Sequence, residues 1–197
     1  MPVKSAMKEI ADHIHKTIDE LDDKGVDDMV KEMLKANSVF VVGAGRSGLV
    51  AKAFAMRLVQ LGLSAQVVGE TTTPAITKGD LLVAVSGSGR TKQVVTVVKV
   101  AKEIGVKVLV ITSYPDEEVG KLSDHVVKIR GRTKVDIETS YTISQLRGEF
   151  ASLTPLGTLF EDTVMIFLDG VIARLMVELG KSEKYMKKRH ASLEWFY

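Results

Sequence analysis

The sequence predicts a doubly wound α/β fold of about five parallel strands, with a helical N-terminal arm and a helical C-terminal end. Three observations lead there. Five short apolar runs, Val39–Val42, Ala65–Val68, Leu81–Val85, Val108–Ile111 and Val126–Ile129, lack an alternating polar face, so each is expected to be buried on both sides. Helix-length segments alternate with them, and parallel neighbours need crossovers of that length. Glycine-rich turns follow the first and third runs and open onto helices, where open parallel sheets collect ligands.

Each element has its own signal. Over residues 3–21, Val3, Met7, Ile10, Ile14, Ile18 and Leu21 recur at three- and four-residue steps with charges between them, which predicts an amphipathic helix. Asp22-Asp23-Lys24-Gly25 interrupts it, and a shorter helix is expected over Asp27–Lys35. Ser47–Leu61 and Thr91–Ile104 are the next helices, ending at Gly62 and Gly105, where a C-terminal glycine is common. Thr91–Ile104 is rich in valine, but its length and the crossover it must make favour helix. A short helix is expected over Glu117–Leu122. The chain is then polar from Ile129 to about Arg147. In Leu156–Leu179, Phe160, Val164, Phe167, Val171, Leu175 and Leu179 fall at helical spacing, predicting a long buried helix interrupted only by Asp169-Gly170.

Composition bounds the function. The 197 residues suit one domain, divided as residues 1–36 (helices), 38–130 (sheet core) and 131–197 (C-terminal helices and tail). With 45% hydrophobic and 26% charged residues the chain is globular rather than disordered. It has no cysteine, which excludes disulfides, thiolate metal sites, iron–sulfur clusters and a cysteine nucleophile. No apolar run approaches the roughly 18–20 residues of a membrane span, and the N-terminus has no apolar signal core, so a cytoplasmic setting without membrane partners is expected. Basic and acidic residues nearly balance, 27 against 25, and the excess is local: Lys181–His190 holds five Lys or Arg and one Glu. A nucleic-acid binder would spread a basic stripe over a face, so nucleic acid is not expected.

The chemistry gathers in an internal echo. Gly43-Ala44-Gly45-Arg46-Ser47 follows the first strand and Gly87-Ser88-Gly89-Arg90-Thr91 follows the third. Glycines let the backbone approach a ligand closely, and free N–H groups at a helix N-terminus attract an anion. The hydroxyls of Ser47, Ser86, Ser88 and Thr91 add donors suited to phosphate or sugar oxygens. Arg46 and Arg90 are candidates to pair with phosphate. A simpler reading makes these tight turns with serine N-caps. If the first and third strands are neighbours, both loops face one crevice.

Gly43, Gly45 and Gly48 also satisfy G-x-G-x-x-G, and Glu70 sits after the second strand where a dinucleotide site places its ribose-binding acid. The serine-rich second loop is no part of that fingerprint. His13, His15 and His125 read as structural or surface residues. No pair of histidines has the H-E-x-x-H spacing, so no metal site is expected.

Val42-Gly-Ala-Gly-Arg-Ser47 and Ser86-Gly-Ser-Gly-Arg-Thr91 resemble the two signature loops of the sugar isomerase (SIS) domain. The resemblance spans nearly the whole chain and is closer to the 6-phospho-3-hexuloisomerase branch, through Gly69-Glu-Thr-Thr-Thr-Pro-Ala75, Arg147-Gly-Glu-Phe150, Pro155-Leu-Gly-Thr-Leu-Phe-Glu161 and Arg189-His190. It implies a three-layer αβα sandwich with flavodoxin-like strand order 2-1-3-4-5. It also implies interconversion of 3-hexulose 6-phosphate and fructose 6-phosphate without metal or organic cofactor, by a homo-oligomer, commonly a tetramer, in the ribulose monophosphate route of formaldehyde fixation. Substrate would lie against Arg46, Ser47, Ser86, Gly87, Ser88, Gly89, Arg90 and Thr91. By similarity Glu149 is the base, with a pKa raised by partial burial if it works near neutrality. His190 is a candidate for ring opening or oxygen proton transfer. Other readings stay open: a C1–C2 aldose–ketose isomerase, a sugar-phosphate sensor without turnover, and a nicotinamide oxidoreductase supported by the glycine pattern and Glu70.

Overall fold

The computed structural model describes residues 2–131 and 153–190. Helices α1 (Pro2–Glu20) and α2 (Asp23–Lys35) precede β1 (Val39–Gly43), α3 (Arg46–Leu61), β2 (Ala65–Val67) and β3 (Leu81–Val85). There follow α4 (Lys92–Ile104), β4 (Lys107–Thr112), α5 (Glu118–Leu122), β5 (His125–Lys128), α6 (Thr158–Glu178) and α7 (Glu183–Lys187). The five strands are parallel in the order β2-β1-β3-β4-β5, as the resemblance implied.

Strand side chains alternate between two cores. Val39, Val41, Leu81, Val83, Val85, Leu109 and Ile111 point to the face covered by α2, α3 and α6. Phe40, Val42, Leu82, Ala84, Val108 and Val110 point to the face covered by α4 and α5. Apolar residues at consecutive positions are therefore what a strand with a helical layer on each side requires. Burial differs at the margin: β2 is only part-buried along its length because it forms the sheet edge, with a single strand neighbour.

Two helices depart from expectation. α2 begins at Asp23 rather than Asp27, because Asp22 is its N-cap and accepts hydrogen bonds from the Lys24 and Gly25 amides. The run expected to be an interruption is thus a cap and a first turn. α6 is unbroken through Asp169-Gly170, since both residues lie on its exposed side, where a polar side chain and a glycine are tolerated. Thr91–Ile104 is helical as expected, with Thr91 as the N-cap and Gly105 the left-handed C-cap.

Candidate functional site

β1 and β3 are hydrogen-bonded neighbours, with Gly43 in register with Val85. From β1 the chain goes outward to β2, whereas from β3 it goes the opposite way to β4. The strand order therefore reverses between them, and the loops leaving their carboxyl ends lie side by side over the switch point. Arg46, Ser47 and the Ser86–Thr91 loop are brought together there.

In the first loop, Gly43 and Gly48 allow α3 to start directly against β1. A Cβ on Gly43 would fall 2.7 Å from the Ser47 carbonyl oxygen, and one on Gly48 2.8 Å from the Gly43 carbonyl oxygen. The glycine spacing thus has a packing cause that calls for no nucleotide. Glu70, the acid of the dinucleotide reading, is paired with Lys52 at 2.5 Å.

The second loop is pinned from behind. The Ser86 amide donates to the Ile111 carbonyl (3.0 Å), the Ser113 amide to Gly87 (3.2 Å) and the Val119 amide to Gly89 (3.0 Å), tying the loop to β4 and α5. The Ser88 hydroxyl accepts from the Arg90 amide at 3.3 Å.

Neither helix has the serine N-cap that tight turns alone would use. The N-cap of α3 is Gly45, which has no side chain to offer, and the hydroxyl of Thr91 does not cap α4. Two helix N-termini thus face the crevice without side-chain caps, each offering partial positive charge to an anion. Ser86 is 2% exposed, and its Oγ is the one buried side-chain polar atom among the described residues without a hydrogen-bond partner. A buried hydroxyl left unpaired costs about 1–3 kcal/mol. A ligand oxygen in the crevice would supply the partner.

The two arginines are held by carboxylates. Arg46 bonds through Nε to Glu161 and through Nη2 to Asp162 at 3.0 Å, both in the first turns of α6. The hydrogen bond to Glu161, with its charge, holds the Arg46 guanidinium above its ordinary range. Arg90 bonds to Glu117 at 2.7 Å, and this bond holds the Glu117 carboxyl below the usual carboxylate range. Phe160, beside Glu161, lies against Gly87 and Gly131. The start of α6 therefore touches both glycine-rich loops at once. Phe160, Glu161, Asp162 and Glu117 were not singled out as site residues from sequence, although Phe160 and Glu161 stand in the Pro155–Glu161 segment that carried part of the resemblance.

His190 lies elsewhere. It follows α7, where Arg189 donates to the Val59 carbonyl at 3.2 Å and Tyr185 packs on Gly62 at the C-terminal end of α3. At 1.5 Å per residue, Val59 is about 18 Å along α3 from Ser47. Within one chain, His190 and the serine loop are at opposite ends of the sheet. Glu149 lies outside the described residues. A cleft of about 750 Å³ opens beyond β4 and β5, lined by His13, Lys16, Tyr114, Glu117 and Arg130 among others, and meets the serine loop at Glu117. Among the described residues no three carboxylate or imidazole side chains gather as metal ligands.

Comparison with known proteins places this geometry. The SIS domain family model matches residues 32–146. A 3-hexulose-6-phosphate isomerase from Bacillus subtilis is 34% identical over 98% of this chain and 100% of its own length. A protein from Aeropyrum pernix, named only as uncharacterised, is 51% identical over 98% of this chain and 93% of its own. A crystal structure of a Methanococcus jannaschii protein, from which a function as 3-hexulose-6-phosphate isomerase was inferred, superposes with a TM-score of 0.79. It is 34% identical, and the match covers 95% of this chain and 98% of that one.

Proposed function

The chain belongs to the SIS domain family, and we propose that it is a sugar-phosphate isomerase interconverting D-arabino-3-hexulose 6-phosphate and fructose 6-phosphate. The unpartnered hydroxyl of Ser86, at the junction of two helix starts without side-chain caps, carries the reading. An anionic, oxygen-rich ligand satisfies all three features together. A relative bearing the isomerase name, matched along its full length, supports the choice of substrate class.

In this reading the phosphate lies on the Ser86-Gly87-Ser88-Gly89-Arg90-Thr91 loop, held by backbone N–H groups and by the Ser86, Ser88 and Thr91 hydroxyls. Ser47 reaches the sugar from the first loop. Arg46 and Arg90 form the rim and, being tied to Glu161 and Glu117, shape the loops. Anchoring the phosphate fixes the C2–C3 bond relative to the base, which lowers the entropic barrier. Glu149 removes the proton from C2 of the 3-hexulose, giving a cis-enediol. Return of a proton to C3, with movement of the hydroxyl proton between the two oxygens, yields the 2-ketose. Carbon oxidation levels at C2 and C3 exchange within the molecule, so the reaction consumes no cofactor. His190 serves the oxygen proton transfer from a neighbouring subunit of a homo-oligomer, because within its own chain it lies beside the far end of α3.

The test is turnover of fructose 6-phosphate without added cofactor, with the product identified by NMR. Appearance of 3-hexulose 6-phosphate is expected. An aldose product, or turnover only with NAD, would overturn the proposal.

A further inference from the structure

The polar side of α1 has a use that its packing does not explain. Ile10, Ile14 and Thr17 turn toward the body of the protein, where α1 lies on α6, while Val3, Met7 and Ile18 are exposed. Beside the covered stripe, Glu9, His13, Lys16 and Glu20 follow one another at steps of four, three and four residues. That spacing puts all four on one face of the helix. Glu9 and His13 are half-buried there.

Three of these side chains hold the main chain or a side chain on either side of residues 132–152, the segment to which Glu149 belongs. At the leaving end, His13 donates through Nε2 to the Arg130 carbonyl at 2.9 Å, since a carbonyl oxygen can only accept. The Arg130 guanidinium donates in turn to Glu20 at 2.8 Å. At the returning end, the Leu153 amide donates to the Glu9 carboxylate at 3.0 Å. Twenty or so residues can span about 70 Å when extended, whereas Glu9 and Glu20 are about 16 Å apart along their helix. Chain length alone does not bring both ends to α1.

The leaving end is also keyed to the serine loop. A Cβ on Gly131 would overlap Phe160, the residue that lies against Gly87. His13, Lys16, Glu20 and Arg130 line the same cleft as Glu117, which accepts from Arg90. The hydrogen bonds from α1 thus act beside the loop that holds phosphate in the isomerase reading.

We infer that Glu9, His13 and Glu20 are positioning residues for the base: by fixing both ends of the segment that carries Glu149, they set the place of its carboxylate relative to a sugar phosphate on the serine loop. The inference rests on the isomerase reading. A base must come within hydrogen-bond reach of the proton it removes, and a misplacement of about 1 Å can cost about 100-fold in rate. The Arg130–Glu20 pair is exposed and holds weakly, so Glu9 and His13 carry the test.

The experiment sets turnover of fructose 6-phosphate beside calorimetric binding of glucitol 6-phosphate, a polyol phosphate with no carbonyl to enolise. Glu9→Ala and His13→Ala should each lower kcat about tenfold, and the double variant about 100-fold. KM and the affinity for the polyol phosphate should stay within about threefold of the parent, because the phosphate loop keeps its own ties. Glu9→Gln retains an acceptor and His13→Gln a donor, so both should turn over nearly as fast as the parent. A double variant with unchanged kcat, kcat and polyol binding lost together, or glutamine variants as slow as the alanine ones would each overturn the inference. A parent chain without turnover, or a Glu149→Gln variant that keeps it, would overturn the isomerase reading and the inference with it. An active parent, an inert Glu149→Gln and a fully active double alanine variant would overturn the inference alone.

Discussion

Phe160 lies against Gly87 so closely that a Cβ on the glycine would fall 2.9 Å from the ring. The contact joins the first turn of α6 to the loop proposed to hold phosphate. It makes the absence of a side chain at Gly87 a packing requirement as well as a means of ligand approach.

Gly87→Ala should therefore push the ring and the loop apart. Overpacking of this kind costs about 1–3 kcal/mol, and the displaced loop should bind sugar phosphate more weakly. Adding Phe160→Leu should recover part of both losses. Thermal unfolding and calorimetric titration with fructose 6-phosphate check the pair, and independent, additive effects would contradict the contact.

Ser86→Ala should separate stability from binding. The hydroxyl is buried and unpaired in the unliganded protein, so its removal should leave stability unchanged or raise it by up to about 1 kcal/mol. Binding of fructose 6-phosphate should weaken about tenfold, the worth of one hydrogen bond to a charged group. A variant less stable by more than about 1 kcal/mol, with affinity unchanged, would remove Ser86 from the site.

Arg46 is forked between Glu161 and Asp162, and lysine cannot reproduce a fork. If Arg46 acts by holding the first loop to α6, Arg46→Lys and Glu161→Gln should each lower kcat/KM about tenfold, and the double variant should be no worse than either. If Arg46 instead holds phosphate, Glu161→Gln should leave KM unchanged or lower it while Arg46→Lys raises it. Steady-state kinetics on the four proteins decide between these.

Asp124 supplies a pH dependence. Burial would raise its carboxyl pKa, but the Lys102 ammonium and the Val108 amide, at 2.8 Å, together bring it below the usual range. A depressed carboxylate contributes stability that is present above its unfolded pKa of about 4 and lost as pH falls through the folded value. Asp124→Asn should destabilise by about 1 kcal/mol at pH 7, a modest figure because a third of the side chain is in water. The difference from the parent should shrink steadily below about pH 4. Urea unfolding at several pH values measures it, and a constant difference would show that charge plays no part.

The sheet was legible because its signal is local. Runs such as Leu81–Val85, apolar at every position, suit a strand covered on both faces, and the helices between them end at glycines that cap them. The two glycine-rich loops, which the fold sets side by side, were legible for the same reason, each being a short contiguous motif. What holds those loops was not. Glu161 and Asp162 lie more than a hundred positions from Arg46, and nothing near any of them in sequence says that they meet. Glu117 is likewise paired with Arg90 only through the fold of β4 and α5 around the loop. The exposed side of α1 was hidden differently: periodicity marks all its apolar positions alike and does not say which ones the chain itself covers.

The central claim is tested most directly by where solvent hydrogen enters fructose 6-phosphate. The protein is incubated with this sugar phosphate in heavy water without cofactor, and the label is located by NMR. An enediol spanning C2 and C3 predicts deuterium at C3, with 3-hexulose 6-phosphate appearing alongside, and loss of both in Glu149→Gln while sugar-phosphate binding persists. Deuterium at C1 would contradict the account and identify an aldose–ketose isomerase. Binding with neither label nor product would contradict it in favour of a sensor.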